Sequence, residues 1–381
     1  MKLHRFGSAA AVVLASGLVL TACGNDDPTA TTEETSSEAD NNAAETEAAT
    51  SEEAAAALSG DIKAAGASSQ ESAMSAWIAG YQGVQADVTV AYDPIGSGGG
   101  RENLIAGAVD FAGSDAYLDE EEREAVKDVC GDDGAIHIPV YISPVAIPYN
   151  LEGVDTLNLR PEVLAQIFDQ KITKWNDPAI VADNPDVELP DLDITVVNRA
   201  DESGTTENFM EYLSAAAPEQ WTYEADKAWP VAGGEAAPQT TGVIDVVTST
   251  PGAIGYADAS AVTGTAASIG VGEEFVEFSP EAAAKVVDAS SPADTGIEGD
   301  LALDLARDTT ESGAYPIVLV SYHIACTSYD DAERANLVKD FLHYVVSEDG
   351  QAAASEAAGS APLSAELSAK ADALIDTIQG G

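Results

Sequence analysis

Three strand-to-helix turns of this 381-residue chain share a composition of glycines and hydroxyl side chains. GASSQES (Gly66 to Ser72) precedes the first helix-like segment, GSGGGR (Gly96 to Arg101) follows the run DVTVAY, and RADESGTT (Arg199 to Thr206) follows ITVVN. At a helix N-terminus the first backbone N–H groups lack intrahelical partners and the helix dipole is positive, so an oxyanion is favoured there. Glycine lets the backbone approach such an anion closely, and Ser or Thr adds an O–H donor. One such turn is an ordinary N-cap. Three of them converging beyond the carboxyl ends of strands, where open α/β sheets bind ligands, would make a site rich in neutral donors, to which Arg199 adds one formal positive charge.

The rest of the body supports that frame. Strand-like runs recur at 87–92, 135–141, 194–198, 253–256 and 317–322, and helix-like segments at 72–82, 101–108 and 206–213 place apolar residues on one face. Strands alternating with helices predict an α/β fold with largely parallel sheets. Asp119 followed by Glu122 has the spacing of a capping box. His137 and His323 alternate with apolar residues and read as ordinary sheet residues rather than ligands. No C-x-x-C, H-E-x-x-H or clustered His/Cys spacing indicates a metal site, and no cofactor is expected.

Sixty-six acidic residues face sixteen basic ones, a net charge of −50, which excludes nucleic-acid binding and docking on anionic lipid through a basic patch. Residues 1–22 carry Lys2, Arg5 and an apolar run from Ala9 to Leu20, the layout of a secretory signal peptide. The run ends in Leu20-Thr21-Ala22-Cys23, which resembles the lipobox of bacterial lipoproteins, so Cys23 is expected to carry acyl chains, palmitate among them, that hold the protein at the outer face of the cell membrane. From Gly24 to Leu58 the chain is polar, with ten acidic and no basic residues, and reads as a disordered tether. The body after it keeps a net charge of −42. Two cysteines remain, Cys130 and Cys326. Oxidising conditions outside the cytoplasm favour their pairing, and two buried free thiols are the alternative.

Asp115, in VDFAGSDAY, is out of place in a site for a fully ionised anion. It makes sense for an anion that still carries a proton. Phosphate near neutral pH can donate a hydrogen bond to a carboxylate, whereas sulfate has no proton to give. At this point the body, from about Ile62 onward, resembles the phosphate-binding proteins of phosphate-specific ABC importers, the PstS family. The motifs GASS, GSGGG, DFAGSDA, KITKWNDPAI (Lys171 to Ile180), RADESGTT and TPGAIGY (Thr250 to Tyr256) carry the resemblance in order.

The resemblance implies a two-lobed periplasmic-binding-protein fold, each lobe a doubly wound sheet with helices on both faces. One lobe would combine 59–142 with 315–381 and the other would span 143–314, closing by a hinge over the ligand. It implies phosphate contacts from Ser68, Ser69, Ser97, Asp115, Arg199, Ser203, Gly204 and Thr205, with Asp201 orienting Arg199. Where the family has Thr and an aromatic, this chain has Ser68-Ser69, so either hydroxyl could point inward. Glu202 stands where the family has Gly and is expected to point to solvent. The implied function is a monomeric, extracytoplasmic, lipid-anchored binding protein that delivers phosphate to an ABC permease and ATPase, not an enzyme. Capture of sulfate or molybdate, a secreted phosphatase, and a surface phosphate sensor or adhesin are the alternatives.

Overall fold

The computed structural model describes residues 57–381. Cys23, the signal segment and nearly all of the acidic tether lie outside the described residues. Ala55–Gly381 forms one compact unit.

Its main sheet has six strands. Strand β1 (Ser59–Gly66) lies between β2 (Asp87–Asp93) and β3 (Phe111–Ser114) and runs parallel to both. Beyond β3 come the Val318–Cys326 strand, β4 (Ala135–Ala146) and the short Ala257–Asp258 strand, each pairing antiparallel with its neighbour. The expectation of largely parallel sheets therefore holds only for one side of this sheet. The chain leaves through β4 and returns through Val318–Cys326, a long-range pairing that no local pattern could indicate. Every residue of both strands is buried, which is why they read as nearly continuous apolar runs. Their register shifts at Ser321/Tyr322, where Ser321 faces Tyr141 and Tyr322 faces Pro139. A second sheet is wholly parallel, with Thr195–Arg199 between Glu235–Ala237 and Ala253–Gly255.

Three helices follow the first strands: α1 (Glu71–Val84), α2 (Ser97–Ile105) and α3 (Glu120–Cys130). Helix α1 buries Ala73, Trp77 and Tyr81 of the face expected from their spacing and Met74 besides, while Ile78 is half-buried. The indole of Trp77 also donates to the carbonyl of Gly350 at 2.8 Å, so Trp77→Ala would cost roughly 3–5 kcal/mol in cavity and lost bonding. The capping box opens α3 as predicted: Glu122 N donates to Asp119 Oδ1 at 2.8 Å, and Asp119 N to Glu122 Oε2 at 3.1 Å. Cys130 at the end of α3 and Cys326 at the end of its strand form a disulfide, their Cα atoms 4.7 Å apart. Among the described residues no helix is long and apolar enough to cross a membrane.

Candidate functional site

The three hydroxyl-rich turns meet. Each lies at a strand's carboxyl end: Ser68 and Ser69 after β1, Ser97 as the first residue of α2, and Ser203 as N-cap of the Gly204–Ala216 helix. Glycine makes the approach possible. A Cβ on Gly66 would lie 1.9 Å from the carbonyl oxygen of Gly113, and one on Gly204 would lie 2.7 Å from both Ser97 Oγ and Asp115 Cβ. Gly66 and Gly96 also have φ of 147° and 98°, which side chains disfavour.

Asp115, one residue past β3, is the hub. Ser69 donates to its Oδ1 at 2.6 Å and Thr205 to its Oδ2 at 2.9 Å. Its backbone is held as well: its N–H donates to Ser97 Oγ at 3.1 Å, and its carbonyl accepts from Asn208 at 2.7 Å. Ser68 turns elsewhere, its hydroxyl lying 3.0 Å from Thr240 Oγ1 and accepting from Thr240 N at 3.1 Å. Of the two serines the sequence left open, Ser69 is therefore the one beside Asp115. Ser203 Oγ accepts from Thr206 N at 3.2 Å, capping the helix, and its own proton remains to be donated. Ser68, Ser69, Ser97, Asp115, Arg199, Ser203 and Thr205 are all buried.

Arg199, the last residue of the second sheet's central strand, pairs in bidentate fashion with Asp201, Nε to Oδ1 at 2.8 Å and the second guanidinium nitrogen to Oδ2. Asp201 Oδ1 also accepts from Gln239 N at 2.8 Å. Gln239 takes φ 60° to do so, a left-handed conformation with a small energetic cost for a side-chain residue. Burial alone would raise the Asp201 carboxyl, but the Arg199 bonds and charge outweigh it and hold it below the usual range. Asp201 thus holds the Arg199 guanidinium through two hydrogen bonds.

Glu202 does not simply point to solvent. Its carboxylate pairs with Lys227 at 3.1 Å, and a Cβ on Gly98 would lie 2.5 Å from Glu202 Cβ and Oε2. The neighbouring lysine offsets the Glu202 charge. Lys227 also reaches Glu122 at 3.3 Å, and buried Arg101 pairs with Glu122 at 3.0 Å and approaches Glu207 at 3.9 Å. Burial raises the Glu207 carboxyl to about 7, despite Arg101.

Sequence reasoning missed Ser321, which donates to Asp115 Oδ1 at 2.6 Å, and Thr240, Asn208 and Tyr256, whose hydroxyl accepts from Arg199 N at 3.2 Å. A lone serine in the otherwise apolar start of Val318–Cys326 was the available signal for Ser321. Tyr256 lies inside the TPGAIGY motif. Trp175, in KITKWNDPAI, is fully buried and donates to the Gly252 carbonyl at 3.0 Å, so that motif serves the scaffold. A cavity of about 870 Å³ lies elsewhere, between α3 and Thr295–Leu301.

The PBP superfamily domain model matches residues 42–349. Phosphate-binding protein PstS 3 of Mycobacterium tuberculosis is 34% identical over 353 residues, covering 91% of this chain and 92% of that protein. PstS 2 of the same organism is 32% identical over 389 residues, covering 99% and 100%. Among solved structures, a high affinity periplasmic phosphate-binding protein bound with phosphate superposes with a TM-score of 0.65 at 22% identity, over 82% of this chain and 93% of that one. The phosphate-binding protein from Stenotrophomonas maltophilia gives 0.63 at 21% identity, over 82% and 93%.

Proposed function

The chain belongs to the PstS family of phosphate-binding proteins, and from that premise we propose that it captures inorganic phosphate outside the cytoplasm and hands it to an ABC importer. The observation that carries the reading is Asp115: a buried carboxylate surrounded by hydroxyl donors, with Arg199 already paired to Asp201. An anion entering here meets donors from three helix starts and one acceptor. The acceptor tolerates only a guest that brings a proton. Phosphate does so near neutral pH; sulfate would leave Asp115 facing a second bare oxygen.

Ser69, Ser97, Arg199, Ser203, Gly204 and Thr205 supply the donors in this proposal, Ser68 reinforces the first turn through Thr240, Asp115 accepts, and Asp201 positions the arginine. Charge-assisted hydrogen bonds contribute roughly 1.5–3 kcal/mol each, and micromolar affinity needs about 8 kcal/mol, so four or five good donors suffice beyond desolvation. The strands to about residue 142 and the return from about 315 would form one lobe, and 143–314 the other, hinging over the ligand; the Cys130–Cys326 disulfide then lies within the first. A monomer tethered through a lipidated Cys23 completes the proposal. Calorimetric titration of the protein with phosphate, arsenate and sulfate tests it. Phosphate and arsenate should compete for one site, with sulfate far weaker; equal binding of sulfate removes Asp115 from its role.

A further inference from the structure

Two polar side chains on the buried Val318–Cys326 strand, Ser321 and His323, are 0% exposed, and so is Gln70 between them. Hydrogen-bond logic assigns a direction to the contacts among these three residues. Gln70 Nε2 lies 3.3 Å from the Tyr322 carbonyl, which can only accept, so this end of the amide is the NH₂. The same nitrogen donates to Ser321 Oγ at 2.6 Å. Ser321 has one proton, and with Gln70 on its acceptor side that proton goes to Asp115 Oδ1. At the other end Gln70 Oε1 can only accept, so His323 Nε2, 3.1 Å away, must carry the ring's proton. His323 Nδ1 has no hydrogen-bond partner among the described residues, as suits an unprotonated nitrogen. Burial lowers this imidazole to about 3, so the ring is neutral at every working pH. Trp77 and Phe111 hold its plane, with ring centroids at 5.5 and 4.6 Å.

We infer that His323, Gln70 and Ser321 form a one-way hydrogen-bond chain that keeps Asp115 an acceptor, which makes them positioning residues for the choice of a protonated oxyanion. The inference rests on the phosphate reading above. Three hydroxyls contact the Asp115 carboxylate, but they are not equivalent. Those of Ser69 and Thr205 are free to rotate toward an anion beside them. That of Ser321 is committed, because Gln70 occupies its acceptor side. A carboxylate oxygen that always receives the Ser321 proton acts there as an acceptor and keeps lone pairs to spare for the ligand's proton. With the chain reversed, Ser321 would accept, Asp115 would hold a proton, and sulfate would be satisfied as well as phosphate.

The test compares phosphate and sulfate affinities, sulfate measured as a competitor, in the wild-type protein and in Asp115→Asn, Ser321→Ala and Gln70→Glu. Gln70→Glu preserves shape but accepts from Ser321 and turns its hydroxyl away. Its added charge weakens both anions alike, so the affinity ratio isolates the chain. Ser321→Ala and Gln70→Glu are each expected to narrow the phosphate-to-sulfate ratio by about tenfold, the worth of one hydrogen bond. If Asp115→Asn narrows the ratio and neither of the other two does, the chain is overturned while the phosphate reading stands. If Asp115→Asn leaves the ratio intact, the phosphate reading falls and takes the chain with it. Nitrogen-15 NMR of His323 in the unsubstituted protein needs no variant to fold: a proton on Nε2 supports the chain, and one on Nδ1 overturns it.

Discussion

The two ends of the site treat a carboxylate in opposite ways. Asp201 is tied to a cation, the Arg199 guanidinium, and its charge is spent on holding that cation in place. Asp115 is tied to hydroxyls alone, from Ser69, Thr205 and Ser321. A carboxylate against a cation lowers the field around a pocket; one against neutral donors keeps its charge available for a guest's proton. In the proposed reading the pair of aspartates divides attraction from selection. In a body carrying a net charge of −42, short-range donors must do the attracting, since the long-range field repels anions.

That division can be broken at either end. The largest effect is expected from Arg199→Ala, which deletes the cation and strands Asp201. Deleting the arginine's charge-assisted bonds to the anion, roughly 1.5–3 kcal/mol each, should lower phosphate affinity about a hundredfold by calorimetry, and a loss under tenfold would show that the neutral donors suffice. Next comes Asp115→Asn, expected to narrow the phosphate-to-sulfate ratio by about a hundredfold, within the 10⁴–10⁵ that an unpaired buried polar group can impose. Asp201→Asn sharpens the contrast. It should weaken phosphate and sulfate together by about tenfold and leave their ratio alone; a changed ratio would mean both carboxylates select.

Smaller effects lie outside the pocket. Glu207, raised to about 7 mainly by burial, binds its proton more tightly folded than unfolded. The stability this contributes is full below about pH 4.5 and is lost as pH rises toward 7. Glu207→Gln should flatten that part of a denaturation-against-pH curve and stabilise the protein at pH 8 by on the order of 1 kcal/mol. The lowered Asp201 carboxyl works the other way: its contribution is present above the usual carboxylate range and is lost on acidification through its folded value. Smallest is a kinetic effect. Salt should speed phosphate association by a few-fold in stopped flow, because screening weakens the body's repulsion; a rate that falls with salt would place an attractive field at the cleft after all.

Local signals in the sequence were strong where chemistry is local. The capping box at Asp119 and the glycines that admit close backbone approach follow from neighbouring residues and appear where their patterns indicated, whereas the helices begin earlier than their apolar periodicity suggested, at Ser97 rather than 101 and at Gly204 rather than 206. Asp115 and Arg199 stood out because a carboxylate and a cation are rare company for glycine-rich turns. Ser321, Gln70, His323 and Thr240 did not stand out, because each is unremarkable in its own segment. His323 read as an ordinary sheet residue, and only its contact with Gln70, 253 positions away in the chain, gives it a direction.

The sequence alone determined the alternation of strands and helices, the donor-rich turns, the acidic surface and a pair of cysteines able to bond. Tertiary structure decided the rest: the antiparallel return through Val318–Cys326, the pairing of Glu202 with Lys227, and which serine faces Asp115. The reason is one of range. Capping, backbone freedom and hydrophobic periodicity act over a turn or two of chain, whereas the direction of a buried hydrogen bond depends on partners that only folding brings within 3 Å.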